Sequence, residues 1–152
     1  MLTKTHLAIA FFLLLFFIPQ INYKLTFGIV LILSTLLADI DSQYSYLGRY
    51  KILRPLQWLV KHRGIFHSFT LLFPMTLFFV LFLPTFSFPF FLGYGIHLFA
   101  DSFTKEGIQP FYPLKKTYSG KISTGGKTEV IIFAVFVVAD LFLGLIRVSS
   151  MF

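Results

Sequence analysis

Val130-Ile131-Ile132-Phe133-Ala134-Val135-Phe136-Val137-Val138-Ala139-Asp140-Leu141-Phe142-Leu143-Gly144-Leu145-Ile146 is an apolar run broken by a single carboxylate. A bilayer takes about 17 to 25 mostly apolar residues per helical crossing, and this run meets the lower limit. Four further apolar segments precede it, over residues 5–18, 25–39, 65–83 and 88–103. They are separated by Pro19, a polar stretch over 41–63, Pro84, and a Lys/Gly/Pro-rich stretch over 105–127. With 57% hydrophobic residues, 22 Phe in 152 positions and a mean hydropathy of +0.82, the chain is too apolar for a soluble domain. The expected fold is all-α, a polytopic transmembrane bundle of about five helices forming one membrane-embedded domain over residues 1–152. The first segment follows Lys4 and has the length of a signal-peptide core. Pro19-Gln20-Ile21-Asn22 supplies no small-x-small cleavage site after it, so it is expected to stay as a helix.

Alternating crossings sort the charges. Lys4, Arg49, Lys51, Arg54, Lys61, Arg63, Lys105, Lys115, Lys116, Lys121 and Lys127 fall on one side, and only Lys24 and Arg147 on the other. That bias predicts a multi-pass plasma-membrane protein with its N-terminus and basic loops in the cytoplasm. It also accounts for the net charge of +7 without nucleic acid as a partner. Basic loops beside a membrane are drawn to anionic headgroups, although fixing topology alone explains them equally well.

The same side collects the rare ionisable groups. His97 and Asp101 are four residues apart near the end of the fourth segment and share a helix face. Asp39 and Asp41 close the second segment, and a spacing of two lets both face one site only if the helix unwinds there. His62 and His67 frame Gly64 at the entry to the third, and His6 stands at the start of the first. Singly, each of these fits an ordinary interfacial residue. Together they bring imidazoles and carboxylates from four segment ends to one depth, and charged groups at membrane depth mark function. Such mixed N/O donors suit Zn²⁺ best, with Mn²⁺ or Fe²⁺ as alternatives, ahead of Mg²⁺ or Ca²⁺. Without cysteine, thiolate sites and disulfides are excluded. Asp140 lies about 16 Å further along the last segment and is expected outside the cluster.

Two motifs fail on inspection. Gly120-Lys121-Ile122-Ser123-Thr124-Gly125-Gly126-Lys127-Thr128 resembles a phosphate-binding loop, but its glycines are out of register and no strand precedes it. A turn whose amides and Lys127 could still touch a phosphate is the better reading, with Glu129 at the next helix entrance. No Gly-x-Ser-x-Gly elbow exists, and Ser68 beside His67 is weak support for a serine nucleophile.

Thr5-His6-Leu7, Ala38-Asp39-Ile40-Asp41-Ser42 with Tyr46-Leu47-Gly48-Arg49, His62-Arg63-Gly64-Ile65-Phe66-His67-Ser68, His97-Leu98-Phe99-Ala100-Asp101-Ser102-Phe103-Thr104-Lys105-Glu106-Gly107 and Thr124-Gly125-Gly126-Lys127-Thr128-Glu129 occur in that order. They resemble the blocks of the YdjM-like family of membrane-bound metal-dependent hydrolases, over nearly the whole chain. The resemblance implies a helical membrane hydrolase with His6, Asp39, Asp41, His62, His67, His97 and Asp101 as the metal-binding residues. Ile65-Phe66 departs from that pattern, in which a threonine before the histidine is common. The family also looks distantly similar to zinc-dependent phospholipase C, through the His-x3-Asp spacing alone.

The expected chemistry is metal-assisted hydrolysis of a phosphoester in a membrane lipid or lipid-linked substrate. Asp39, His67, His97 and Asp101 are the expected ligands. His6, Asp41 and His62 remain for a second metal or proton transfer, and Arg63, Arg49, Lys127 and Glu129 for substrate. Two alternatives stand beside it: a ceramidase-like amidase or acyl-ester hydrolase using Ser42 or Ser68, and a metal or proton carrier. The sequence leaves the oligomeric state open.

Overall fold

The computed structural model describes residues 1–43, 45–60 and 63–149, with the side chains of all of these except Leu56 and Leu59. Five long helices form the molecule: α1 (Thr3–Phe17), α2 (Lys24–Leu37), α4 (Phe69–Phe82), α5 (Pro84–Ser102) and α6 (Lys127–Ser149), with the short α3 (Arg54–Leu59) in the loop after α2. The all-α membrane bundle expected from the hydropathy is what the chain adopts. Two segments, Thr3–Gln20 and Lys127–Ser149, are long and apolar enough to cross a bilayer alone, while α2 and α4 are apolar but shorter.

Helix boundaries differ from the apolar runs where local chemistry intervenes. α2 stops at Leu37, two residues early. The chain then turns through i→i+3 bonds, Asp39 N–H to Leu36 O at 3.3 Å and Ile40 N–H to Leu37 O at 3.1 Å. The run starting at residue 65 becomes helical only at Phe69, because Ser68 is extended and a single 3₁₀ turn carries His67. α5 starts at Pro84, four residues earlier than its apolar run, since proline suits a first helical turn. Only Leu83 separates α4 from α5.

Packing follows from small and hydroxylated residues. α2 packs chiefly on α5, α4 also on α5, and α1 on α6 and α2. At the α2–α5 crossing the Ser34 hydroxyl donates to Pro89 O at 3.3 Å and the Thr35 hydroxyl to Gly93 O at 3.2 Å. A Cβ on Gly93 would lie 2.3 Å from Leu31 O, so only glycine allows this approach. Beneath the polar end lies a core of Ala38, Leu72, Phe90, Tyr94, Leu98 and Ile108. α6 instead exposes Ile131, Val135, Val138, Leu141 and Leu145, an apolar surface that water does not tolerate and acyl chains do.

Candidate metal centre

Four chain segments converge at one end of the bundle. α1 brings His6, the turn after α2 brings Asp39 and Asp41, the 3₁₀ turn before α4 brings His67, and α5 brings His97 and Asp101. His6, Asp41, His67, His97 and Asp101 are all buried, and Asp39 is half-buried. The turn at residues 38–41 resolves the Asp39/Asp41 alternative. Both carboxylates reach His67, on opposite edges of its ring: Asp39 Oδ1 lies 3.3 Å from Nε2 and Asp41 Oδ2 lies 3.7 Å from Nδ1.

The donors Asp39 Oδ1, His67 Nε2, His97 Nε2 and Asp101 Oδ2 form a compact set. His67 Nε2 is 3.3 Å from Asp39 Oδ1 and 3.6 Å from Asp101 Oδ2, and His97 Nε2 is 3.5 Å and 3.9 Å from the same two oxygens. A tetrahedral ion with ligand bonds of about 2.0–2.1 Å needs donors about 3.4 Å apart. Asp39, His67 and His97 can thus share one ion, and Asp101 Oδ2 stands within 3.9 Å of both imidazoles, a donor chemistry that suits a divalent cation. His6, His97 and Asp101 make a second group of three buried donors, adjoining the Asp39, His67 and His97 group through His97. The His6 and His97 rings stack with centroids 3.8 Å apart, and His6 Nε2 sits 3.2 Å from Asp101 Oδ1.

Electrostatics reflect this crowding. Burial raises the Asp39 carboxyl, but hydrogen bonding to the His67 and His97 imidazoles outweighs it and holds Asp39 well below the usual carboxylate range. Burial alone would lower His67, yet Asp39 and Asp41 together push its pKa up to about 9. Without a cation, a proton on His67 balances the two carboxylates.

Arg63 closes the site. Its backbone is left-handed at φ 62°, which aims its N–H at Asp41 Oδ2 at 3.0 Å. Its guanidinium donates to Gly107 O at 2.8 Å and lies 3.6 Å from Asp101 Oδ2 and 3.9 Å from Glu106 Oε2. Glu106 is itself held at low pKa, first by the Thr124 hydroxyl at 2.6 Å and then by Arg63. The other expected substrate residues sit differently. Arg49 stacks over the Tyr46 and Tyr50 rings at 4.7 and 5.7 Å. Lys127 opens α6. Glu129 is buried and accepts from Leu2 N–H at 2.6 Å, the Thr5 hydroxyl at 2.8 Å and Gly125 N–H at 2.6 Å, so it ties the start of α1 to the start of α6. His62 lies outside the described residues. Asp140 is apart from the cluster, in a groove with Phe11, Leu15 and Arg147.

Sequence reasoning gave no role to several residues that shape the site. The Met1 amino group pairs with Asp101 Oδ1. The Tyr94 hydroxyl donates to Phe66 O at 2.6 Å and so fixes the turn carrying His67. Thr104 ends α5 by donating to Asp101 O at 2.7 Å. A polar residue within an apolar helix was the available signal for Tyr94; none pointed to Thr104.

Fold and site together define a helical membrane protein with a buried carboxylate–imidazole centre at one end of the bundle. The chain matches the family described as YdjM inner membrane protein over residues 1–151 and belongs to that family. No curated protein and no solved structure matches it.

Proposed function

We propose that this protein is a metal-dependent hydrolase that cleaves a phosphoester of a lipid or lipid-linked substrate at the cytoplasmic face of the membrane. The observation that carries the reading is the convergence of Asp39, His67 and His97, with Asp101 within 3.9 Å of both imidazoles, at one end of the bundle. What a divalent cation, Zn²⁺ above others, supplies in such a site is polarisation of a phosphoryl oxygen and a lowered water pKa. Asp41 sits on the far edge of His67, as the carboxylate behind a ligating histidine does, and fixes the ring's tautomer and orientation. His6, beside Asp101 and stacked on His97, is placed to hold a second cation or to move a proton. Arg63 is partly exposed, and its planar guanidinium can turn from Asp101 and Glu106 to make a bidentate contact with a substrate phosphate. The bias of basic residues toward the loops beside the site supports a cytoplasmic orientation.

Phospholipid, lipid phosphate and ceramide are to be assayed with protein purified without chelator, and its metal content measured in parallel. Phosphoester cleavage is expected, falling about a hundredfold or more in His97→Ala and Asp101→Ala together with the bound metal. Asp140→Asn, outside the cluster, should keep both. Cleavage of amides alone, or equal metal in wild type and the two alanine variants, overturns the reading.

A further inference from the structure

The loop after α2 and the loop between α5 and α6 share a composition that the candidate centre does not use. From Ser42 to Arg63 there are five cations and no acid, and from Phe103 to Gly126 four cations, Lys105, Lys115, Lys116 and Lys121, against the single acid Glu106. Each also turns large apolar side chains outward: Ile52 is 85% and Trp58 84% exposed in the first, Phe111 55% and Leu114 65% in the second. Exposed Lys51 adjoins Ile52, and exposed Lys115 and Lys116 follow Leu114. The Arg63 bond to Gly107 O and a 2.8 Å bond from Phe69 N–H to Pro110 O join the two loops beside the centre.

Neither bulk water nor the hydrocarbon core suits such a surface. Water disfavours Trp58 and Ile52 at this exposure, and the hydrocarbon disfavours the lysines. The headgroup layer accommodates both, since aromatic and aliphatic side chains dip below the phosphates while cations remain among them. With nine cations against one acid, the complementary layer is anionic.

We propose that these two loops form a collar lying in the anionic headgroup layer of the protein's own membrane, with Trp58, Ile52, Phe111 and Leu114 inserted just below the phosphates and Lys51, Lys115 and Lys116 gathering acidic lipids around the site. The collar stands independently of any hydrolytic activity.

Trp58 is the chain's only tryptophan, so its fluorescence reports this surface alone. The intact protein is placed in nanodiscs of phosphatidylcholine and phosphatidylglycerol, with bromine on one lipid at a time, either high or low on the acyl chain. High bromine should quench Trp58 strongly, chain-end bromine weakly, and aqueous iodide little. Bromine on phosphatidylglycerol should quench more than the same fraction on phosphatidylcholine, by about fivefold in local enrichment per lysine at most. Lys51→Gln, Lys115→Gln and Lys116→Gln combined should equalise the two lipids while leaving depth unchanged, because all three side chains are exposed. Trp58 open to iodide and unaffected by bromine overturns insertion. Equal quenching by both lipids in the wild type overturns the anionic preference.

Discussion

His67 stands between two carboxylates, and that position sets the pH behaviour of the site. Its pKa is raised to about 9, so in the metal-free protein it is charged at neutral pH, whereas a metal ligand must be neutral. Cation binding therefore displaces a proton. Apparent affinity should climb with pH by about tenfold per unit below 9 and level off above, as read by competition against a metal-sensitive dye. By the same sign, the stability His67 contributes to the metal-free protein is complete below 6.5 and disappears as pH rises through about 9. Asp41→Asn removes one of the two raising partners, so the plateau should move to lower pH while affinity at the plateau drops about 10–100-fold. A plateau left in place would mean that Asp41 does not govern His67. The His97/Asp101 pair was legible because a helix fixes which residues share a face. The division of labour between Asp39 and Asp41 was not, since it depends on where α2 unwinds.

The elements are positioned by close contacts rather than by the apolar pattern. α2 and α5 approach at Gly93, where Ser34 and Thr35 donate across the interface. Gly93→Ala must move Leu31 O, and should cost about 1–3 kcal/mol, measured as a lowered unfolding midpoint in detergent. Gly144 has open space around it, so Gly144→Ala should leave the midpoint unchanged or raise it. Hydropathy gave the number of long helices and their order. Among the ends it misjudged, those at Leu37, Phe69 and Pro84 are set by a turn, an extended serine and an N-terminal proline rather than by a change in polarity, while α6 runs three residues past its apolar run at each end.

Sidedness belongs to the molecule as a whole. The chain has no cysteine, so single substitutions report topology directly. Ser119→Cys, in the exposed loop after α5, should react with an impermeant maleimide only in inside-out vesicles, and Asn22→Cys, between α1 and α2, only in right-side-out ones. Labelling of both from one side would remove the cytoplasmic assignment. Charge bias predicts this arrangement from sequence, whereas the linkage between the two ends of the chain was hidden in Glu129. Its three hydrogen bonds span up to 127 residues, a separation at which no local spacing carries information.

That linkage gives the protein a timetable. Asp39, His67, His97 and Asp101 have all been synthesised before α6 begins at Lys127, but the group that anchors α1 has not. α1 has partners in α2 and α5 before that point, but the Glu129 bonds to Leu2 and Thr5 form only once the last helix has been made. Nascent chains halted before Lys127 should therefore keep His6 near His97 and Asp101 while the start of α1 lacks its clasp, so that the last helix to be made is the one that fastens the first.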